Sequence, residues 1–312
     1  MNASVPVVEW RTLSLIALCY LGLGLSTTLI ADFSIGLAFV LTTLLITLHS
    51  SLQHEALHGH PTRHRWLNEL LIFPAVGLIV PYGRFRDTHL AHHHDEILTD
   101  PYDDPETNYL DPKVWVALPY WLQLVLRVNN TLLGRILLGP MISTISFIRS
   151  DIRAAIGGQY KIALCWSLHL IGIVPVLWWV ATIGSMPLWV YVAASYLGFG
   201  ILKIRTFLEH RAFEAAQGRS VVIEDRGLLA FLFLNNNFHA VHHAHPGAPW
   251  YRLPRLYEKD RDGYLDLNNG YFYPSYLTVL GRYFLHAKDP VPHPLRPLGQ
   301  AALKDNARPL RQ

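Results

Sequence analysis

Residues 12–31 read TLSLIALCYLGLGLSTTLIA, Asp32 interrupts, and residues 33–48 continue FSIGLAFVLTTLLITL. A helix that crosses a bilayer needs about 20 consecutive apolar residues, so each run is long enough or nearly so. The first run is too long for the apolar core of a signal peptide, and no small-residue cleavage site follows it. With only Asp32 between them, the two runs predict a tight helical hairpin. A second pair lies at Ile162–Ile183 and Met186–Leu202, joined by GSMP at 184–187. The predicted fold is therefore all-α and integral to a membrane. It has four transmembrane helices at about 12–31, 33–50, 162–183 and 186–204, arranged as two hairpins with a cytoplasmic helical cap that carries the histidine-rich segments, within one domain, 1–287.

Composition agrees. Charged residues make up 16% of the 312-residue chain and mean hydropathy is +0.21, whereas soluble domains carry about 25% charged residues. The net charge of +3 gives no argument for nucleic acid. Cys19 and Cys165 sit in apolar segments without a partner at ligand spacing, which excludes a thiolate zinc site and a disulfide framework. No Lys or Arg occurs from Thr12 to Ser51 or from Ile162 to Leu202. Positive residues stay cytoplasmic, so the N-terminus, the region 55–160 and the C-terminus are expected on the cytoplasmic face. Trp178, Trp179 and Trp189 flank the opposite turn, as an aromatic belt does. Leu67–Tyr82 is apolar but short and reads as an interfacial or partly buried helix. Val114–Ile148 reads as amphipathic helices lying on the bilayer. From Lys288 the chain is rich in proline and charge, and 288–312 is expected to form a poorly ordered tail.

Seventeen histidines stand against three methionines. HEALH puts His54 and His58 four apart, on one helix face. HLAHH puts His89, His92 and His93 on one face, and HAVHH repeats the spacing with His239, His242 and His243. Glu209 and His210 follow the fourth apolar run. With four spans, all these clusters come out on one side of the membrane. A single HxxHH face reads as a surface patch as readily as a metal site. Two copies and an HxxxH on one side read as metal. Eight or nine imidazoles exceed the four that zinc normally takes, and two ions with four or five each account for them. Imidazole suits iron, copper, zinc and nickel alike.

Two decoys fall away. HEALH matches the zinc-protease signature in which Glu is the general base, but that reading leaves the other clusters unexplained. HPGA at 245–248 resembles a haem signature without its soluble domain. His94 stands about 100° round the helix from His93, which suits a neighbouring or surface role. Metal-bound histidines usually pass their other N–H to a carboxylate or carbonyl. Asp95 and Glu209 stand beside ligand candidates, and one of Asn235–Asn237, with Asn237 preferred, could hydrogen-bond one. DPYDDPE (100–106) reads as a turn-rich loop. His169, alone on the third run, reads as a satisfied buried histidine.

HEALH, HLAHH and HAVHH, in this order around two hairpins, resemble the three histidine boxes of the membrane fatty-acid desaturase superfamily. That superfamily includes carotenoid ketolases and hydroxylases and, more distantly, alkane hydroxylases. The likeness covers about residues 10–257 and is specific for the superfamily, weakly so for the substrate. RTFLEHR (205–211) and NNNFHAVHHAHPGAPWYRLP (235–254) are similar to bacterial desaturases, the last part being shared with ketolases. The resemblance implies two iron ions, molecular oxygen as co-substrate, and ligands His54, His58, His89, His92, His93, His239, His242 and His243, with His210 as an additional one. It also implies an active site on the cytoplasmic face of a bacterial inner membrane.

The chain has no GxGxxG and no fused electron-transfer domain, so the resemblance further implies an external donor: a ferredoxin, rubredoxin or b-type cytochrome. An unactivated C–H bond in a lipid lies beyond acid–base groups, and a metal with oxygen supplies the chemistry. The expected activity is desaturation of a fatty acyl chain. The alternative within this chemistry is a ketolase or hydroxylase of a carotenoid or other lipid. From a different class stands a histidine-rich metal transporter or sensor, but a transporter needs ionisable residues along its spans, and these offer only His169, Thr and Ser.

Overall fold

The computed structural model describes residues 8–296. It is mostly helical. Helix α1 (Trp10–Thr27) and the short α2 (Leu29–Phe33) together form the first apolar segment, and α3 (Ile35–Leu57) the second. The chain breaks at Thr28, and Ser34 starts α3 by accepting the Leu37 N–H at 3.3 Å, an ordinary N-cap. Helices α10 (Tyr160–Thr182) and α11 (Leu188–Leu208) form the second pair. All four segments are long and apolar enough to cross a membrane. Each lies within a few residues of its expected bounds, except that α3 runs past 50 to Leu57 and α11 past 204 to Leu208. Those extra turns carry the first histidine box and Arg205.

α3 packs against α1 on one side and α11 on another. Half of α3 and half of α11 are buried, against 28% of the first segment and 17% of α10, so α3 and α11 form the inner layer. The second pair also touches the first through its turn: the Thr27 carbonyl accepts the N–H groups of Ser185 and Met186 at 2.9 and 3.2 Å.

Between the pairs, α4 (Arg65–Leu71) is helical, but the expected helix over 67–82 stops there. Pro74 and Pro81 cannot continue it, and residues 72–81 run irregularly among the long helices. Their carbonyls find partners: buried Val76 accepts the Tyr191 hydroxyl at 2.9 Å, and half-buried Leu78 accepts from His169 Nε2 at 3.2 Å. His169 is thus a satisfied buried histidine. α5 (Tyr82–His92) follows and carries the second box. Arg84 clamps it to buried Asp151 at 2.8–3.1 Å, and Asp151 also accepts Trp166 Nε1 at 2.8 Å.

Short helices α6 (Pro112–Ala117), α7 (Tyr120–Asn129) and α8 (Leu132–Leu137) lead to the longer α9 (Gly139–Ile156). After α11 come strand β1 (Val222–Ile223), α12 (Leu228–Leu232), α13 (His239–Ala244) with the third box, α14 (Leu253–Lys259) and α15 (Arg261–Leu267). Strand β2 (Phe272–Tyr273) pairs with β1 in parallel, and α16 (Tyr276–Tyr283) closes the order. This two-residue pairing departs from an all-α chain. Residues 288–296, expected to begin a poorly ordered tail, pack onto the body: Pro292 bridges Leu110 and Arg296 pairs with Asp100. The rest of that expected tail lies outside the described residues.

Candidate metal centre

Each box sits at the end of an element, where helical spacing can aim two or three imidazoles one way. His54 is in the last turn of α3 and His58 caps it; His89 and His92 end α5 and His93 caps it; His239, His242 and His243 lie on α13. His210 follows α11 and is held by a bridge to Ser220.

These nine histidines meet. His54, His58, His89 and His242 form one group, and His92, His210, His239 and His243 a second; within each, one ring nitrogen per residue lies within 4.8 Å of the others. His93 stands between them. Its Nε2 is 3.0 Å from that of His89 and 3.1 Å from that of His242, and its ring stacks on His243 at 4.4 Å.

The hydrogen bonds behind the rings decide what such a cluster can hold. His92 Nδ1 is 2.7 Å from Asp104 Oδ1, and His89 Nδ1 is 3.2 Å from Glu106 Oε1. A carboxylate accepts, so these Nδ1 atoms carry the proton, and in a neutral imidazole Nε2 then presents a lone pair. Yet His92 Nε2 faces His210 Nε2 at 2.8 Å, and His89 Nε2 faces His54 Nε2 at 3.0 Å. Lone pairs converging in two buried groups fit a cation in each. His58 Nε2 is buried with no partner among the described residues, as a ligand atom would be.

Electrostatics runs the same way. Burial, reinforced by neighbouring imidazoles, pushes His58 down to about 2 and His210, His239 and His242 well below the ordinary value. These rings stay neutral with a lone pair free. His92 is the exception: burial opposes its protonation, but Glu106, Asp104 and Glu209 outweigh it and raise the group to about 9, so a cation in its group must displace the Nε2 proton. For Glu106, burial is outweighed by His89 and His92, and its carboxyl falls to about 2.

Asp104 and Glu106 come from the stretch expected to be only a turn-rich loop. Asp104 does shape it, accepting the N–H groups of Thr99 and Glu106 at 2.8 and 2.9 Å, while also meeting His92. Glu209, expected to serve a neighbouring ligand candidate, stands 3.7 Å from His239 Nδ1 and pairs with buried Arg205 at 2.9 Å. Asn237 differs from expectation: its amide serves the Ile223 and Asp225 carbonyls, and the asparagine facing His239 Nδ1 is Asn236, at 3.2 Å. The first of the three asparagines lies in a left-handed turn at Leu234 and Asn235, which alternation or helical spacing does not reveal. His94 is exposed, and the side chain of Asp95 is outside the described set.

Glu55 stands behind the cluster, its Oε1 4.0 Å from His54 Nδ1, the nitrogen turned away from His89. Its Oε2 accepts the Trp250 N–H at 3.0 Å. His245, in the haem-like stretch, reaches the Tyr264 hydroxyl at 2.9 Å.

Comparison with known proteins agrees with this geometry. A beta-carotene ketolase from a Paracoccus species is 27% identical over 256 residues, which cover 80% of this chain and 87% of the ketolase. The fatty acid desaturase family matches residues 33–275. With most of the chain matched, and with every histidine box and His210 inside the match, the chain belongs to the fatty acid desaturase family of oxidoreductases.

Proposed function

We propose that the protein binds two iron ions at the nine histidines and oxidises a long apolar lipid with molecular oxygen. The observation that carries this reading is the pair of adjacent four-histidine groups with converging lone pairs, set at the ends of apolar helices. The bound metal supplies the oxidising power that an unactivated C–H bond requires. The chain's own residues hold and orient it. Asp104 and Glu106 keep the protons of His92 and His89 on Nδ1, so that Nε2 points inward. Asn236 and Glu209 do the same for His239, and Arg205 holds Glu209 in place.

The first reading of the reaction is desaturation of a fatty acyl chain. Two hydrogens leave the chain, and with two electrons and two protons from outside they reduce one oxygen molecule to two waters. The similarity to a beta-carotene ketolase favours a second reading, oxidation of a carotenoid ring methylene to a ketone. Both draw the substrate from the bilayer. Both take electrons from a separate donor, a ferredoxin, rubredoxin or b-type cytochrome, docking at the face that carries the histidines.

We further propose that the long helices form two hairpins and that the histidine-bearing cap faces the cytoplasm. Lys and Arg are missing from both turns, and positive residues stay inside. Lipid and pigment profiles of cells that express the protein with a compatible donor and a carotenoid supply test the reading. New double bonds in acyl chains select desaturation, and new keto groups select ketolation. Oxygen-dependent change in neither, with donor and iron present, would overturn it.

A further inference from the structure

A groove of about 450 Å3 opens on the outside of the molecule between the first turns of α1 and the loop that follows the third box. α1 lends it Arg11, Ser14, Leu15 and Leu18, and Phe231 and Trp250 stand opposite. No histidine lines it. Trp250 is pinned at its inner side, with its backbone N–H on Glu55 and its indole N–H on Thr12 Oγ1 at 3.3 Å.

The chemistry of the α1 wall changes with depth. A helix rises about 1.5 Å per residue, so Ser14 lies about 4.5 Å and Leu18 about 10 Å further along the span than Arg11. The order is therefore a cation, then a hydroxyl, then apolar surface. Arg11 is exposed, and its guanidinium lies 5.0 Å from the Tyr251 ring centre. It is in no ion pair among the described residues, so the face of the fork is stacked while its N–H edge stays open. Arg252, beside Tyr251, is also in no ion pair among them. The Ser14 hydroxyl is exposed and takes part in no side-chain hydrogen bond among the described residues. Leu18 is 60% exposed and Phe231 44%.

A phospholipid offers the complementary order along the same axis: a phosphate anion at headgroup depth, ester carbonyls about one helical turn deeper, then hydrocarbon. We propose that this groove binds an anionic membrane phospholipid. The open edge of Arg11 takes the phosphate in bidentate fashion, Ser14 donates to an ester carbonyl, and one acyl chain lies along Leu15, Leu18 and Phe231. The lipid so held braces α1 against the Trp250 loop. This site is separate from the metal centre, because none of the clustered histidines lines the groove and Trp250 is pinned at its inner side.

The test uses the full chain in phosphatidylcholine vesicles doped with nitroxide-labelled phosphatidylglycerol or labelled phosphatidylcholine, read by electron paramagnetic resonance. The protein is expected to immobilise the anionic label about fivefold more than the zwitterionic one, the factor of one basic residue near an anionic headgroup. Arg11→Gln should remove the preference, and Arg11→Lys, which keeps the charge but loses the fork, should retain only part of it. Leu18→Trp, which fills the slot, should release the anionic label while metal content stays as in wild type. Equal immobilisation of both labels would overturn the proposal, as would an unchanged preference in Arg11→Gln. A Leu18→Trp variant that keeps the preference yet loses lipid oxidation would make the groove a substrate route instead.

Discussion

At the scale of single residues, the nine histidines do not act as equals. His93 touches both groups, so His93→Ala is expected to abolish turnover while the protein still inserts and folds, because the cap and not the apolar core holds it. Glu55→Gln should be much milder, since that carboxylate faces Trp250; lipid oxidation assayed side by side in the two variants checks the order. Asp104→Asn keeps the side chain's shape and removes the charge behind His92. Loss of such an outer partner weakens metal binding about 10–100-fold, and iron titration of the purified variant reads it. Eight of the nine clustered histidines were legible in the sequence because spacings of three and four place side chains on one helix face; His210 was legible only through the family resemblance. The carboxylates behind them were not. Asp104 and Glu106 reach His92 and His89 through the path of a loop, and loop path leaves no period in a sequence. Glu209 was legible only because it adjoins His210.

At the scale of elements, what matters is how irregular backbone is satisfied among long helices. The four apolar runs announced themselves by length. The stretch 72–81 did not, because an apolar run broken by two prolines looks the same whether it lies on a surface or is buried. Its carbonyls depend on His169 and Tyr191. His169→Leu strands the half-buried Leu78 carbonyl, at a cost of up to the roughly 1–3 kcal/mol of a fully buried unsatisfied group. Thermal unfolding should show that loss with iron content unchanged. At the surface, Glu69 joins α4 to α5 through Arg86 at 2.8 Å and also pairs within α4 with Arg65 at 2.8 Å. Burial works against its charged form, but the two arginines outweigh it and hold its carboxyl below the usual value. The ion pairs therefore stabilise fully above the ordinary glutamate range and lose their effect as pH falls through the lowered value. Glu69→Gln should lower the melting temperature slightly near neutral pH and have no effect in strong acid. A difference that persists in acid would assign the loss to packing.

At the scale of the whole molecule, three separate stretches of chain, 54–58, 89–93 and 239–243, must share one side of a membrane for the site to exist. The fold brings them together because α3 and α11 form the inner layer and end at the same level, beside the cap. The proposed sidedness rests on charge, and single cysteines test it in a background lacking Cys19 and Cys165. Asp32→Cys and Ser185→Cys should react with an impermeant reagent in intact cells. Thr107→Cys and Gln217→Cys should react only after the membrane is opened. The central claim is the pair of ions. Metal analysis of the detergent-purified chain tests it most directly: about two iron atoms per chain are expected, four or five imidazoles serving each, with marked loss in His54→Ala and in His239→Ala, one variant for each group. One zinc per chain with no iron, or a full iron load retained in both variants, would contradict it.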